Sequence, residues 1–168
     1  MNLLDEYHSY ITDTINCADN RYHGHDSWNN IHYYYPSARI KTWGSTPTFT
    51  CPKGQAYTVS DTSHGNGASK YPVTLITMDE ATFAGLVLWN WAGDNGNYLH
   101  TGTNYWTNSS YSYDSNRGAY PGNISSNGRI DESKCYFYMG IRPVISLKPS
   151  VMTGAIGNGT WDNPYVII

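Results

Sequence analysis

One stretch of the sequence, residues 102–128, restricts how this chain can bury a core. It reads GTNYWTNSSYSYDSNRGAYPGNISSNG and contains five Tyr and Trp residues and five Asn, but no Cys, Glu, Lys or His. Its aliphatic residues are too few for a core, whereas its aromatic residues are too many for a linker. We therefore expect a short strand at 104–108, followed by a long polar loop that is exposed to solvent and held against a more regular body.

The overall composition favours recognition over charge-driven binding. The chain has 168 residues, which is enough for one domain. Charged residues make up 14% of it and the net charge is −3, so nucleic acid is not an expected partner. Sixteen Tyr and six Trp outnumber three Phe. Because Tyr and Trp combine a large contact area with a polar tip, they suit a surface that binds a ligand.

The sequence also predicts the location of the protein relative to the cell. It contains no apolar run long enough to cross a bilayer, and its first residues lack the pattern of a signal peptide. The low charge and the abundance of Asn, Tyr and Gly are typical of an exported bacterial protein. We therefore expect an extracellular or cell-surface location, with membrane attachment only through an anchor that is absent from this sequence.

Three cysteines allow one disulfide and leave one thiol. A bridge between Cys17 and Cys51 could join the N-terminal region to the body of the domain. The remaining thiol would then be Cys135. The spacing alone does not decide whether this bridge forms.

Residues 1–50 are expected to form an N-terminal helix and loops. Apolar side chains recur at helical spacing over residues 3–15, which predicts a helix that ends near Cys17. Residues 20–43 show no regular period and are broken by Gly and Pro, so we expect irregular loops with one short strand at HYYY, residues 32–35.

The main body, residues 51–168, carries the clearest local signal of the chain. Thr77 can cap a helix over the following residues while Glu80 reaches back to it, and Gly85 can end the helix in a left-handed conformation. Apolar or alternating runs predict short strands at residues 48–51, 56–61, 71–76, 86–91 and 163–168, and the longer apolar run 135–147 predicts a central strand or a strand pair. Few helices and many short strands predict one α+β domain.

Four motifs occur in order along this body. They read YTVSDTSHGNGASKYPVTLITMDEATFAG, NYWTNSSYS, GIRPVISLKPSV and GNGTWDNPYVI, and they follow an N-terminal YITDTINCADNR. Together they resemble the pattern YPVGLITADE, YWTMSPY, GVRPVINLK and GT followed by NPYVI in surface proteins of gut Firmicutes and their phages. The chain departs from that pattern at Thr74, Met78, Leu86 and Ser110. The resemblance implies an architecture more than an activity, because members of the group generally have no assigned activity.

A second resemblance concerns the order of YW, a variable stretch, and then GIRPV. This order is similar to the C-terminal part of C-type-lectin-like domains of the formylglycine-generating-enzyme type. That group includes receptor-binding proteins diversified by retroelements, in which mutated codons precede a final strand and favour Asn, Tyr, Ser and Asp. Half of the sixteen Asn lie within residues 90–127. The resemblance implies a C-type-lectin-like fold with a variable face at about residues 89–138.

The same resemblance implies binding without chemistry. Neither of the lectin calcium motifs, EPN or WND, stands in the expected place, and the paired cysteines of the formylglycine-generating enzymes have no counterpart around Cys135. We therefore expect no cofactor, no metal and no catalytic residue. The expected partner is a protein or glycan on another cell or phage surface.

The candidate ligand-binding residues are aromatic and polar side chains of the variable face. Rigid aromatic rings lose little entropy on binding, and Asn and Ser adapt their hydrogen bonds, as in antibody loops. Within the aromatic set we expect Trp89 and Trp106 in the core, and Tyr111, Tyr113 and Tyr120 on the surface. The full candidate set is Trp91, Asn95, Asn97, Tyr98, His100, Asn104, Tyr105, Asn108, Tyr111, Tyr113, Asp114, Asn116, Tyr120, Asn123, Asn127, Tyr136 and Tyr138.

Other constellations have simpler interpretations. His23, His25 and His32 could ligate zinc, although a solvated loop is the more ordinary reading. The adjacent acids Asp79 and Glu80 suit the start of a helix better than acid–base catalysis. Arg142 is expected to pair with a buried carboxylate or with loop carbonyls.

A second function remains open at this point. The chain could instead be a structural subunit or tip domain of a pilin-like surface appendage, in which the aromatic residues pack against sister subunits.

Overall fold

The computed structural model describes residues 9–40, 46–90, 97–153, 155–158, 162–163 and 166, with no description of the side chain of Met152. It is an α+β protein with few helices and antiparallel sheets. The strands are β1 (Asn16–Cys17), β2 (Tyr22–Asp26), β3 (Ile31–Tyr34), β4 (Ala56–Tyr57), β5 (Thr74–Leu75), β6 (Tyr105–Asp114), β7 (Gly118–Ile124), β8 (Ile130–Glu132) and β9 (Pro143–Val144). The helices are α1 (Tyr35–Ile40), α2 (Met78–Phe83), α3 (Pro149–Met152) and a 3₁₀ turn, Lys53–Gln55.

The largest sheet has five strands in the order β2-β3-β6-β7-β8, and every neighbouring pair is antiparallel. Two smaller pairs, β1 with β4 and β5 with β9, lie outside it. Within the described part of the chain, no helix has the length and apolar character that crossing a membrane requires.

The polar stretch 102–128 forms the central hairpin of this sheet, so the prediction of a long loop after residue 108 is wrong. Strand β6 continues to Asp114, and β7 returns beside it. The Asp114 carboxylate accepts the backbone N–H groups of Asn116 (2.8 Å) and Arg117 (3.2 Å), which closes the turn. Gly118 follows with a φ of 93°, a conformation that favours glycine.

The hairpin fills the core with aromatic rings and small polar residues where aliphatic side chains are scarce. Tyr105 and Tyr111 are each only 2% exposed, and Thr107 and Ser109 are buried between them. The buried hydrophobic cluster comprises Ile40, Ile76, Met78, Ala81, Leu86, Leu99, Tyr105, Tyr111, Ile124 and Ile130.

Helix α2 lies against the hairpin, and its predicted ends are confirmed. The Thr77 hydroxyl accepts the Glu80 backbone N–H at 3.1 Å, while the Glu80 carboxylate accepts the Thr77 backbone N–H at 2.7 Å. Gly85 follows with a φ of 94°. A Cβ atom on Gly122 of β7 would overlap Met78 Sδ. Glycine therefore permits the close contact between helix and sheet.

The N-terminal region differs from its prediction. Residues 9–15 form a turn and an isolated bridge from Ile11 to Leu147, so the predicted helix is wrong there, while residues 1–8 lie outside the described residues. Residues 22–40 are more regular than expected. They form the hairpin β2–β3, which includes most of the predicted HYYY strand, and then α1 with Pro36 in its first turn, where proline is tolerated.

Several predicted strands are shorter than expected. Residues 48–51 are irregular, 56–61 and 71–76 contain only the two-residue strands β4 and β5, and residues 86–90 contribute one bridge at Leu88. Residues 135–147 form a turn, isolated bridges and β9. Proline at position 143 removes a donor from any ladder there. From the predicted strand 163–168 the described residues show one bridge, between Val166 and Ile156.

A disulfide joins Cys17 to Cys51 and closes the N-terminal region onto the body. Cys135 is an exposed thiol. Beside the bridge, Arg39 donates to both oxygens of Asp79 at 2.7 Å and to Asp19 at 3.0 Å. Asp79 lies in the first turn of α2, as predicted for an acid at the start of a helix, and its buried carboxylate also anchors this ion network.

Candidate functional site

A cleft on one face of the five-stranded sheet brings together several aromatic side chains and two carboxylates. We call it the aromatic cleft. Its volume is about 180 Å³. It is lined by Ile31, Tyr33, Trp89, Tyr111, Ser112, Asp114, Arg117, Tyr120 and Glu132.

A register irregularity in β6 helps to place these residues on one side. Ser110 pairs with Pro121 and Ser112 pairs with Tyr120, so Tyr111 is an extra residue between two paired ones. Such a bulge turns neighbouring side chains away from strict alternation and is frequent beside binding sites. As a consequence, the adjacent residues Tyr111 and Ser112 both line the cleft.

Tyr111 forms the floor of the cleft, because it lines the cavity and yet is only 2% exposed. Its hydroxyl is buried and has no hydrogen-bond partner among the described residues. Burial, and then the nearby carboxylate of Glu132, raise the pKa of this hydroxyl well above its usual value. The neutral hydroxyl is thus enclosed by the protein, and Tyr111 supports the rings of Tyr33 and Trp89 that line the cleft.

Trp89 forms one wall and holds a strained backbone. Its φ is 54°, in the left-handed region, which is unusual for a bulky residue and costs on the order of 1–3 kcal/mol. Two contacts hold it there: its backbone N–H donates to Ile130 O at 2.9 Å, and its indole Nε1–H donates to Glu132 Oε2 at 2.8 Å. The side chain is 48% exposed, so the prediction that Trp89 belongs to the core is wrong.

The rings around Tyr111 stand at steep angles to it. The Tyr33 ring lies 6.3 Å away at 81°, and the Trp89 ring lies 6.1 Å away at 55°. The charges of the lining are two carboxylates, Asp114 and Glu132, and the guanidinium of Arg117, which lies 3.7 Å from Asp114. The site is therefore aromatic on several sides and slightly acidic.

The structure divides the seventeen candidate residues into different environments. Trp91 and Asn95 lie outside the described residues. Tyr105, Tyr111, Asp114 and Asn123 are buried, and Asn97, His100, Asn108, Tyr120 and Asn127 are partly buried. Tyr98, Asn104, Tyr113, Asn116, Tyr136 and Tyr138 are exposed.

The expectation that Tyr111 is a surface residue is wrong, whereas Tyr113 is exposed as expected and Tyr120 is partly buried. Tyr105 also belongs to the core, and its hydroxyl donates to Leu99 O at 2.7 Å. Trp106 is only partly buried. Of the candidate residues, the cleft contains Tyr111, Asp114 and Tyr120.

Several candidate asparagines have structural contacts. Asn108 donates to Asn16 Oδ1 (2.6 Å) and to Cys17 O (2.9 Å), which ties β6 to β1. Asn123 donates to the Ser133 hydroxyl at 3.0 Å, and Asn97 donates to Ala84 O at 2.6 Å. These amides hold backbone segments together, so their abundance reflects folding as well as recognition.

Most of the cleft lining was not among the candidates: Ile31, Tyr33, Trp89, Ser112, Arg117 and Glu132. Ile31 and Tyr33 come from β3, far away in sequence, and only the sheet order brings them beside β6. Glu132 lies on β8, within residues 89–138 but between the candidates Asn127 and Tyr136. No local sequence signal marks Ile31 and Tyr33, because they meet the other lining residues through strand pairing across the sheet.

Two other cavities flank helix α2. One, of about 160 Å³, lies between the disulfide and the Arg39–Asp79 pair. The other is an open, largely apolar groove of about 630 Å³ that includes Phe83 and Arg142. As predicted, Arg142 donates to a loop carbonyl, Tyr98 O, at 3.1 Å.

The histidines near the N-terminus lie on the outer hairpin of the sheet. His25 and His32 are directly opposite on β2 and β3, with ring centroids 4.7 Å apart, while the His23 ring contacts Tyr35. In the described ranges, no three His, Cys, Asp or Glu side chains are grouped as metal ligands would be.

Comparison of the chain with models of known protein families, with curated proteins and with solved structures gives no match.

Proposed function

We propose that this protein is an extracellular ligand-binding domain of receptor or adhesin type, which binds its ligand through the aromatic cleft and the exposed residues around it. The observation that carries the proposal is Trp89. A bulky ring held in a strained backbone conformation at the edge of a cleft is a feature that folding alone does not require.

The surroundings of Trp89 support the same conclusion. Tyr111 lies beneath the cleft and supports the Trp89 ring, with 6.1 Å between the two ring centroids. Tyr113 and Asn116 extend the exposed surface at the end of the β6–β7 hairpin. Aromatic anchors in a partly desolvated pocket, surrounded by adaptable polar groups, are typical of binding sites.

We further propose that the domain has a C-type-lectin-like fold and that retroelement mutagenesis diversifies the exposed part of residues 89–138. The motif resemblance and the Asn- and Tyr-rich composition of that region support this proposal. The ligand would then be a protein or glycan on another cell or phage surface, bound without chemistry. The disulfide between Cys17 and Cys51 suits an oxidising location outside the cell.

The binding proposal is tested with the immobilised domain and intact bacterial cells or phage particles. We expect Trp89→Ala to reduce capture at least tenfold. Trp28→Ala is the matched control, because Trp28 is 95% exposed at the tip of the β2–β3 hairpin and outside the cleft. Equal capture by both variants would refute the assignment of binding to the cleft.

The diversification proposal has a separate test. The locus is sequenced for a reverse transcriptase and for a near-copy of residues 89–140 that differs chiefly at adenines. If both are missing, the diversification claim is wrong, while ligand binding through the cleft stands.

The second candidate function, a structural subunit or tip domain of a surface appendage, is favoured by a different surface. Tyr136, Phe137, Tyr138 and Ile141 are all more than half exposed, and contiguous exposed apolar side chains often mark contacts between proteins. Light scattering across a concentration series tests it. A subunit of an appendage should self-associate, whereas a monomer at high concentration would argue against this function.

A further inference from the structure

We propose, building on the binding function above, that the aromatic cleft recognises a methylated ammonium group, such as a trimethylammonium. The inference depends on three aromatic residues that line the cleft, Tyr33, Trp89 and Tyr120, with Tyr111 buried beneath them, and on the acidic side chain of Glu132.

The ring geometry favours a rounded cation over a flat sugar. A pyranose stacks on one open aromatic platform, but here the Tyr33 and Trp89 rings are inclined to Tyr111 by 81° and 55°. Tyr111 itself is only 2% exposed, so the electron-rich ring faces open to a ligand are those of Tyr33, Trp89 and Tyr120. Cation–π attraction acts between such faces and a cation, and aromatic cages recognise quaternary ammonium groups in this manner.

The charges of the cleft point in the same direction. The guanidinium of Arg117 lies beside Asp114, whereas the carboxylate of Glu132 lies against the Trp89 indole Nε1–H. The Glu132 charge thus stands at the edge of the aromatic wall. A cation bound against Trp89 would gain attraction from both the ring and this carboxylate.

The size and polarity of the cleft favour a methylated ammonium over a primary one. A volume of about 180 Å³ equals the share of about six water molecules in the liquid, which suits a small group. A primary ammonium carries three N–H donors that need acceptors and is strongly hydrated. A trimethylammonium has no N–H donor, so it needs no hydrogen-bond acceptor from the cleft.

The test is a titration of the intact, oxidised protein, followed by NMR of the tryptophan indole N–H signals and by calorimetry. The probes are choline and Nε-trimethyllysine amide, and the control is 3,3-dimethylbutanol, which has the shape of choline without its charge. We expect both cations to bind and to shift the Trp89 indole signal, and the neutral control to bind at least tenfold more weakly. The cation that binds with the higher affinity indicates whether the natural ligand carries a choline-type group or a methylated protein side chain.

Variants locate the site. Trp89→Ala should weaken cation binding at least tenfold, Glu132→Gln by severalfold, and Trp28→Ala should leave it unchanged. Equal binding of 3,3-dimethylbutanol and choline, or no shift of the Trp89 signal by either cation, would overturn the proposal. These comparisons on the unaltered protein do not depend on whether a variant folds.

The outcome separates this inference from the proposed function. If neither cation binds while Trp89→Ala still abolishes capture of cells or phage, the methylated-ammonium inference is wrong and the binding function stands. If capture also survives the substitution, both proposals are wrong.

Discussion

Replacing Tyr111 by Phe removes one oxygen atom from the middle of the sheet and should stabilise the protein, although most core substitutions destabilise. The Tyr111 hydroxyl is buried without a hydrogen-bond partner in the described part of the structure. In the unfolded chain the same hydroxyl is hydrated. A buried hydroxyl that loses water without gaining a partner costs about 1–3 kcal/mol, and phenylalanine avoids that cost with nearly the same shape.

Tyr105→Phe is the matched control for this prediction. Tyr105 lies on the same strand and is equally buried, but its hydroxyl donates to Leu99 O at 2.7 Å. Its removal deletes that bond and leaves a buried carbonyl without its donor, which should cost about 1–3 kcal/mol. The two substitutions make the same chemical change and should therefore alter stability in opposite directions.

The assay is urea unfolding with the disulfide kept oxidised, supported by thermal melting. We expect Tyr111→Phe to raise the free energy of unfolding by about 1 kcal/mol, which corresponds to about 2–4 °C in the melting temperature for a chain of this length. The slope of the free energy of unfolding against urea concentration should not change. A loss of 1 kcal/mol or more would show that the hydroxyl is satisfied in the native state, for example by an ordered water, and would refute the reasoning about the cleft floor.

Three further predictions concern the N-terminal half. Replacing both Cys17 and Cys51 by Ser opens a loop whose ends are 34 residues apart and should cost about 3–4 kcal/mol in urea unfolding; an unchanged midpoint would mean that the bridge contributes nothing. Asp79→Asn should cost about 3 kcal/mol, because it leaves the Arg39 guanidinium with a weakened partner in a largely buried site; a loss below 1 kcal/mol would argue against that network. Burial acts to raise the pKa of Asp13, but backbone N–H donors from residues 59–61 outweigh it and lower the pKa to about 2. Its stabilisation, about 1–2 kcal/mol after allowance for partial exposure, is complete above pH 4 and is lost as the pH falls towards 2. Asp13→Asn should flatten that part of the pH profile in acid unfolding, and an unaltered profile would contradict the assignment.

Local chemistry explains which parts of the fold could be predicted from the sequence. The ends of α2 were predictable because Thr77, Glu80 and Gly85 contact only near neighbours, so their spacing is sufficient. The β6–β7 hairpin could not be predicted from local spacing in this way. Its core side includes the buried polar residues Thr107 and Ser109, whose hydroxyls have partners that are distant in sequence: Thr107 donates to Gly122 O at 2.8 Å, and Ser109 accepts the Met78 N–H at 2.9 Å.

The prediction of an N-terminal helix failed for a related physical reason. A helical spacing of apolar residues is a weak signal when tertiary contacts compete with it. Ile11 pairs with Leu147, and Thr12 donates to Ser146 O at 2.9 Å, so this segment is held by a distant strand-like partner. Such pairing depends on the whole fold and cannot be read from residues 3–15.

The sequence predicted the region that contains the candidate site, but not which residues line the site. The aromatic and polar composition of residues 89–138 identified a part of the chain that supplies Trp89, Tyr111, Asp114 and Tyr120 to the cleft. Tyr33 was missed because the pairing of β3 with β6 is a long-range contact. Large indoles are usually buried, which predicts a core position for Trp89, whereas its side chain is 48% exposed and its indole N–H donates to Glu132.

The burial pattern also limits which residues of the variable face can be exchanged. Tyr113 and Asn116 are exposed and lie near the turn of the hairpin, so substitutions there should alter stability by only about 0.5 kcal/mol. Tyr105 and Asn123 fill the core or bond across it, and replacing them affects folding. Tyr111 belongs to both groups, because the same ring packs in the core and forms the floor of the cleft. If the face is diversified, variation should therefore concentrate at the rim, while an aromatic residue persists at position 111 in every variant that folds.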